Sequence, residues 1–166
     1  MIRIVAPLAV LLSLSACGMR PLYGGIDSPA RIALSQVQVT PIDGQAGWLV
    51  SSALRDRLSA VDGAAARYRL DVRLDDRIAG LGVRRDDSIS RERRTLRARY
   101  QLVDLTSGAT LLDATAGSDA GVDVVGSEYA TIAAEQTALE RLSGIVAEQI
   151  VARVALYAQR SGTTAK

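Results

Sequence analysis

The sequence predicts a single α+β domain in which two helices pack on one face of a four-stranded, mostly antiparallel sheet, in the order β-α-β-β-β-α. Three observations lead to this fold. Segments 67–78, 88–105 and 109–118 alternate apolar and polar residues, as strands do when only one face is buried. Short turns join them, which is typical of an antiparallel meander. Two further segments have apolar stripes at helical spacing, and both can cover the apolar face of the sheet.

The first sixteen residues have the order of a secretory signal. Arg3 precedes an apolar run from Ile4 to Leu12, and small residues follow. The run is about half of the roughly 20 residues that cross a bilayer as a helix, and a short helix of the folded domain is the alternative interpretation. The end of the segment, LSAC at 14–17, resembles the lipobox of bacterial lipoproteins. That resemblance implies cleavage before Cys17 and attachment of lipid to its thiol.

Cys17 is the only cysteine, and the chain contains no histidine. A catalytic thiolate needs a neighbouring base, and a buried thiol would not follow a removable segment, so lipid attachment is favoured over both. Gly18 follows, where lipoproteins kept at the inner membrane often have Asp, and this implies export to the outer membrane. Residues 17–30, rich in Gly and Pro, are then a flexible tether, 31–160 the domain and 161–166 a frayed tail.

The first strand is predicted within residues 31–40, where Val37 and Val39 alternate with polar residues. Ile32 and Leu34 lie in the opposite phase, which a bulge or a late strand start near Ser35 would explain. The first helix is predicted from about Gln45 to Ala60. Its stripe is formed by Trp48, Leu54 and Leu58 with Val50 or Ser51.

The meander gives the strongest pattern. The residues predicted to face inward are Tyr68, Leu70, Val72, Leu74 and Ile78 on its first strand, Leu96, Ala98, Tyr100 and Leu102 on its second, and Leu112, Ala114 and Ala116 on its third. Only Asp76 breaks the alternation of the first strand. A final helix follows from Ser127 to about Gln159, roughly 48 Å long at 1.5 Å per residue, which is longer than this sheet needs. Its stripe includes Tyr129, Ile132, Leu139, Leu142, Val146 and Ile150, and Gly144 is a possible bend.

An enzyme is not favoured by these residues. Without histidine or a second cysteine, general-base catalysis and zinc binding lose their usual groups, and no phosphate-binding glycine loop or nucleophile motif occurs. The pairs Asp75-Asp76 and Asp86-Asp87 lie in or beside an arginine-rich sheet, where neutralised surface carboxylates are the common case. We therefore expect no catalytic site, no metal and no cofactor.

Arginines are concentrated in the meander: residues 67–99 hold eleven, against six acidic residues. Arg97 and Arg99 are predicted to point outward beside the arginines of the preceding strand, with Arg91, Arg93 and Arg94 nearer the turn. Unpaired arginines at this spacing repel each other, so this face should attract phosphates or carboxylates of a partner. A solvated, salt-bridged face is the alternative. Nucleic acid is not expected, because an exported lipoprotein seldom meets it and interleaved aromatic residues are missing.

Nearly the whole mature chain resembles the LptE family of outer-membrane lipopolysaccharide-assembly lipoproteins. The resemblance lies in CGMRPLYGG at 17–25 and, more loosely, in YRLDVRL at 68–74, RARYQLVDLTSG at 97–108 and SEYATIAAEQTALERLSGIVAEQI at 127–150. It implies the same two-helix, four-strand fold, reached above from periodicity alone.

The resemblance also implies a function. Such a protein would be anchored in the outer membrane through Cys17, would face the periplasm, and would plug the lumen of the β-barrel LptD, aiding its assembly and the delivery of lipopolysaccharide. Family members that bind lipopolysaccharide use basic residues; the candidates here are Arg84, Arg85, Arg91, Arg93, Arg94, Arg97 and Arg99. Replacing Arg91, Arg93 and Arg94 by Glu should then weaken that binding. The alternatives are an auxiliary envelope lipoprotein of a lipid-transporting ABC system and, less favoured, a lipid-carrying domain.

Overall fold

A computed structural model describes residues 29–58, 65–83, 89–124 and 126–164 of the chain. Cys17, the predicted signal segment and the predicted turn with Arg84 and Arg85 lie outside these residues. The elements are α1 (Pro29–Ser35), β1 (Val37–Val39), α2 (Gly44–Leu58), β2 (Tyr68–Val83), β3 (Ile89–Asp104), β4 (Thr110–Asp123) and α3 (Glu128–Thr164).

The four strands form one sheet in the order β1-β2-β3-β4. β1 is parallel to β2, with Val37 opposite Tyr68, and the other two pairings are antiparallel. A parallel pair needs a long crossover connection, which α2 provides, whereas short turns suffice for the meander. The predicted fold class and element order are confirmed, and the short helix α1 is added to them.

The register of the meander places its apolar residues in rows across one face. Leu70 lies opposite Leu102, and Leu102 opposite Leu112. Both long helices cover this face: α2 contributes Val50 and Leu54 to the core. The fully buried side chains of α3 include Leu139, Leu142, Val146, Ile150 and Val154. Removal of these apolar surfaces from water stabilises the two-layer arrangement, in which each helix needs only one apolar stripe.

The structure differs from the sequence prediction at the start of the domain. Pro29–Ser35 form helix α1 where a tether and the beginning of a strand were expected. Ala30 and Leu34, four residues apart, are both buried, which accounts for the phase of Leu34 against the strand. The strand itself begins at Val37, so the late start was the better of the two interpretations.

The apolar stripe of α2 is rotated relative to the predicted one. Its buried residues are Gly47, Val50, Ser51, Leu54 and Leu58, whereas Trp48 is 68% exposed. The cause is the close approach of the preceding loop, since the carbonyl of Ile42 occupies the space that a Cβ on residue 47 would need. Glycine lets the helix pack there, and the large neighbouring ring is turned to the surface.

β2 and α3 are longer than predicted, β3 lies within its predicted bounds, and the hairpin β2–β3 matches α3 in length. β2 and β3 have 16 residues each, or about 53 Å. α3 has 37 residues, about 55 Å, and it continues through Gly144 and through residues 161–164 of the expected tail. Three residues that were predicted to be buried are exposed: Ile78 in the second half of β2, and Tyr129 and Ile132 in the first turns of α3. Among the described residues no helix combines the length and apolarity needed to span a membrane.

Candidate anion-binding face

The polar face of the sheet, opposite the helices, carries the arginines. Odd-numbered residues of the meander point to this side, because side chains alternate along a strand and the core takes the even-numbered ones. We call this surface the outer face. Its exposed arginines are Arg69, Arg73 and Arg77 on β2 and Arg91, Arg93, Arg97 and Arg99 on β3. β4 contributes the acidic residues Asp113, Asp119 and Asp123.

Four arginines of the outer face are neutralised within the chain. Two bond to an aspartate two residues away on β2: Arg69 Nε lies 3.0 Å from Asp71 and Arg77 Nε 2.8 Å from Asp75. The other two reach across to β4. Arg91 Nε lies 2.9 Å from Asp123, and Arg99 Nη2 lies 3.0 Å from Asp113.

The ion pair between Arg99 and Asp113 is reinforced by a neighbouring side chain. Gln101 also donates to the Asp113 carboxylate, at 2.9 Å. The hydrogen bonds from Arg99 and Gln101 lower the pKa of Asp113, and the pKa of Arg99 is raised by the same contact. Exposed pairs of this kind add little to stability. Their main effect is to remove these guanidinium groups from competition for external anions.

Arg73, Arg93 and Arg97 have no ion pair with any described residue. We call them the open arginines. Arg73 on β2 lies directly opposite Arg99 on β3, so two arginines are neighbours at this point of the outer face. Arg97 lies opposite Asp75, but that carboxylate bonds to Arg77.

Small residues surround two of the open arginines. Arg93 stands between Ala79 and Gly121, neither of which can bond to it, and a Cβ on residue 121 would meet open space. Arg97 extends over Gly117, where a Cβ would lie 2.5 Å from its Cδ atom. The side chains of both residues therefore have room to meet an incoming group. A guanidinium offers a planar set of donors that fits phosphate or carboxylate oxygens, so the outer face can bind an anionic partner.

Arg94 lies on the other side of the sheet from Arg91 and Arg93. Its even-numbered position places it under α3, where its side chain keeps 11% of its accessible area. It bonds to both oxygens of Asp76, at 3.0 and 2.6 Å, and donates to the carbonyl of Glu135 at 3.0 Å. The hydrogen bonds with Asp76 raise the pKa of Arg94. Arg94 therefore joins sheet to helix and is not placed to contact a ligand on the outer face.

A second carboxyl group lies beside this ion pair. Glu92 also points to the helix side, and its Oε2 atom is shielded from solvent without a hydrogen-bond partner. Burial raises the pKa of Glu92, and the charge of the nearby Glu135 carboxylate raises it further. Sequence reasoning missed this cluster of Asp76, Glu92, Arg94 and Glu135. The signal was present in Asp76, the one residue that breaks the alternation of β2.

Of the predicted candidates, Arg91, Arg93, Arg97 and Arg99 share the outer face, Arg94 does not, and Arg84, Arg85 and Cys17 are outside the described residues. Arg73 belongs with the open arginines although it was not among the candidates. Within the described part of the chain, no three metal-ligating side chains come together.

The profile of the LptE family, described as lipopolysaccharide-assembly, matches residues 34–154. The chain belongs to the LptE family. Its members are accessory lipoproteins of the outer membrane that act in lipopolysaccharide assembly and not as enzymes. No curated protein sequence matches the chain.

Solved structures show the same fold as this LptE-family protein. A lipoprotein from Caulobacter crescentus is 23% identical, with a TM-score of 0.64 over 78% of this chain and 95% of its own. A minor lipoprotein from Acinetobacter baumannii is 14% identical, with a TM-score of 0.58 over 74% of this chain and 92% of its own. Lipoprotein B from Nitrosomonas europaea is 15% identical, with a TM-score of 0.55 over 75% of this chain and 87% of its own.

Proposed function

We propose that this LptE-family protein is anchored by lipid on Cys17 in the outer membrane, faces the periplasm, and plugs the lumen of an LptD-like β-barrel. There it helps the barrel to assemble and passes lipopolysaccharide toward the cell surface. The family match supports a role in lipopolysaccharide assembly, and the charged outer face supports a position inside the lumen of a barrel. The lumen of a large barrel is polar, so a plug needs a surface of charged and hydrogen-bonding side chains. The outer face supplies such a surface without exposing the core.

The observation that carries direct contact with lipopolysaccharide is the set of open arginines, Arg73, Arg93 and Arg97. Lipopolysaccharide presents phosphate groups, and each unpaired guanidinium can donate two parallel hydrogen bonds to one. The four neutralised arginines already have acidic partners inside the chain. Binding to the open set therefore breaks no existing ion pair, whereas binding to Arg99 would compete with Asp113.

The partner is tested by purification from an envelope extract. A tagged copy of the full-length protein, isolated in mild detergent, should retain a membrane-embedded β-barrel that mass spectrometry identifies. Depletion of the protein should reduce lipopolysaccharide at the cell surface. Retention of components of an ABC system with unchanged surface lipopolysaccharide would contradict the proposal.

Lipid contact is tested by two charge-matched triple variants. Arg73→Gln with Arg93→Gln and Arg97→Gln should weaken binding to lipopolysaccharide aggregates at least tenfold, the equivalent of about 1.4 kcal/mol, which is less than one charge-assisted hydrogen bond contributes. The difference should shrink as salt is added. The control removes three exposed arginines from the helix side, Arg55, Arg57 and Arg141, and should bind almost as the unaltered protein does. Equal loss in both variants would mean that net charge, not the outer face, attracts the lipid.

The anchor is tested separately. Cys17→Ala should leave the circular dichroism spectrum and melting temperature of the mature body unchanged, because the described core begins at Ala30. It should move the protein from the membrane fraction to the soluble envelope fraction, since acyl chains supply the membrane affinity. A variant that stays with the membranes even after the barrel is removed would contradict lipid attachment at this cysteine.

A further inference from the structure

An apolar cleft of 440 Å³ opens at the end of the body where α1 meets α3. Such a volume lies in the range of about 300–1,000 Å³ that binding pockets usually have. Its walls are Ile32 and Val37 at the N-terminal side, Tyr68 and Leu102 from the sheet, and Val154 and Tyr157 from α3. Ile32 is 51% exposed although its surroundings are apolar. An apolar group seated in the cleft would cover it.

The chain that precedes α1 reaches the body beside this cleft. Ala30 and Leu34 are buried in the core, so α1 is held in place and the chain enters at its first residue. The helix is only about 10 Å long, and its residue Ile32 forms part of the cleft wall. Whatever comes just before Pro29 therefore starts within about 10 Å of the opening.

The tether contains a short apolar sequence at a suitable distance. Leu22 and Tyr23 follow Pro21 and precede two glycines. Five residues lie between Tyr23 and Pro29, and an extended chain covers at most about 20 Å over those six steps. Both side chains can therefore reach the cleft. Arg67 is the charged residue of the cleft lining, and its guanidinium stacks over the ring of Tyr68 at 5.3 Å; most of the other lining residues are apolar.

We propose that Leu22 and Tyr23 of the same chain dock in the cleft between α1 and α3. Burial of a leucine and a tyrosine side chain offsets the entropy lost when the tether is ordered. Docking would also set the distance from anchor to body. Only residues 17–21 would then remain free, about 17 Å when extended, instead of about 40 Å for residues 17–28. The docking does not depend on the proposed lipopolysaccharide function or on lipidation.

Hydrogen exchange of α1 in the full mature chain tests the docking. Leu22→Ser combined with Tyr23→Ser should accelerate amide exchange in Pro29–Ser35 several-fold, while exchange in β3 stays unchanged because the core is intact. The matched control is Met19→Ser, which alters an apolar residue of the same tether outside the docked pair. Equal exchange in α1 for all three proteins would overturn the proposal.

Cross-linking tests the position. In a Cys17→Ser background, Tyr23→Cys paired with Ala158→Cys should give an intramolecular disulfide. Tyr23→Cys paired with Ala130→Cys, near the other end of α3, should not, because the two thiols must come within bonding distance. Cross-linked dimers would instead assign the cleft to a second copy. Tight binding of a fluorescent fatty acid by the unaltered protein, with no increase in the Leu22→Ser, Tyr23→Ser variant, would assign it to an acyl chain; either result overturns the proposal.

Discussion

Removal of the Arg94 side chain should destabilise the protein strongly, although its neighbour Arg93 should be nearly dispensable for folding. Arg94 makes two hydrogen bonds to Asp76 and one to Glu135 on the helix side of the sheet. Arg94→Ala would leave the Asp76 carboxylate, whose side chain is 24% exposed, without its partner. Arg93 is exposed and has no ion pair with a described residue, so Arg93→Ala breaks no such pair.

The magnitude follows from the burial of the pair. Breaking a fully buried ion pair costs about 3–5 kcal/mol, and the remaining exposure of Asp76 and Arg94 reduces this to about 2–3 kcal/mol. In a domain of this size that lowers the melting temperature by about 4–12 °C. The Arg93→Ala control should stay within about 0.5 kcal/mol of the unaltered protein.

Urea denaturation followed by far-ultraviolet circular dichroism measures both variants. The double variant Arg94→Leu with Asp76→Leu should recover most of the lost stability, because replacing both partners by apolar groups leaves no unpaired charge. Equal stability of the Arg93→Ala and Arg94→Ala proteins, or a double variant less stable than either single one, would contradict the placement of Arg94 in a shielded ion pair under α3.

Three further predictions concern packing and pH. Gly47→Ala should destabilise the protein by about 1–3 kcal/mol, because the new methyl group meets the carbonyl of Ile42, and a thermal melt should show it. Gly144→Ala should raise stability by about 0.5–1 kcal/mol in the same melt, since the nearest atom, Arg57 Nη2, lies 3.9 Å away and alanine favours the helix; a loss instead would indicate hidden crowding. Glu92→Gln should stabilise the protein at pH 7. Because the pKa of Glu92 is raised in the folded protein, the folded state binds this proton more tightly than the unfolded state does. The resulting stabilisation is complete below the ordinary pKa of a glutamate and is lost as the pH rises through the raised pKa of the folded protein. The gain should disappear below about pH 4, and an equal gain at both pH values would contradict the role of its charge.

The sequence could predict the sheet face of most residues because strand alternation is a local property. Leu96, Ala98 and Tyr100 are buried as predicted, and Arg97 and Arg99 are exposed. No local rule predicts the partner of each arginine. Arg99 lies opposite Thr115 on β4, yet it bonds to Asp113, and that choice depends on the strand register and on side-chain reach.

The errors at the helices have non-local causes. A seven-residue helix such as α1 is unstable alone and forms because Ala30 and Leu34 are buried by the rest of the domain. Trp48 is exposed because a loop packs against Gly47, a contact that periodicity does not contain. β2 extends beyond Ile78 through glycines, which are poor strand formers, because β3 supplies pairing partners there.

The pleat of β3 also changes how the arginines should be tested. The sequence-derived experiment, replacement of Arg91, Arg93 and Arg94 by Glu, mixes two kinds of residue. A glutamate at 94 would face Asp76 and the carboxyl groups of Glu92 and Glu135, so four acidic side chains would share one partly shielded place. Loss of lipopolysaccharide binding by that variant would then follow from unfolding as readily as from lost contacts. Substitution of the open arginines avoids this ambiguity, because each of them is exposed and none holds the helix to the sheet.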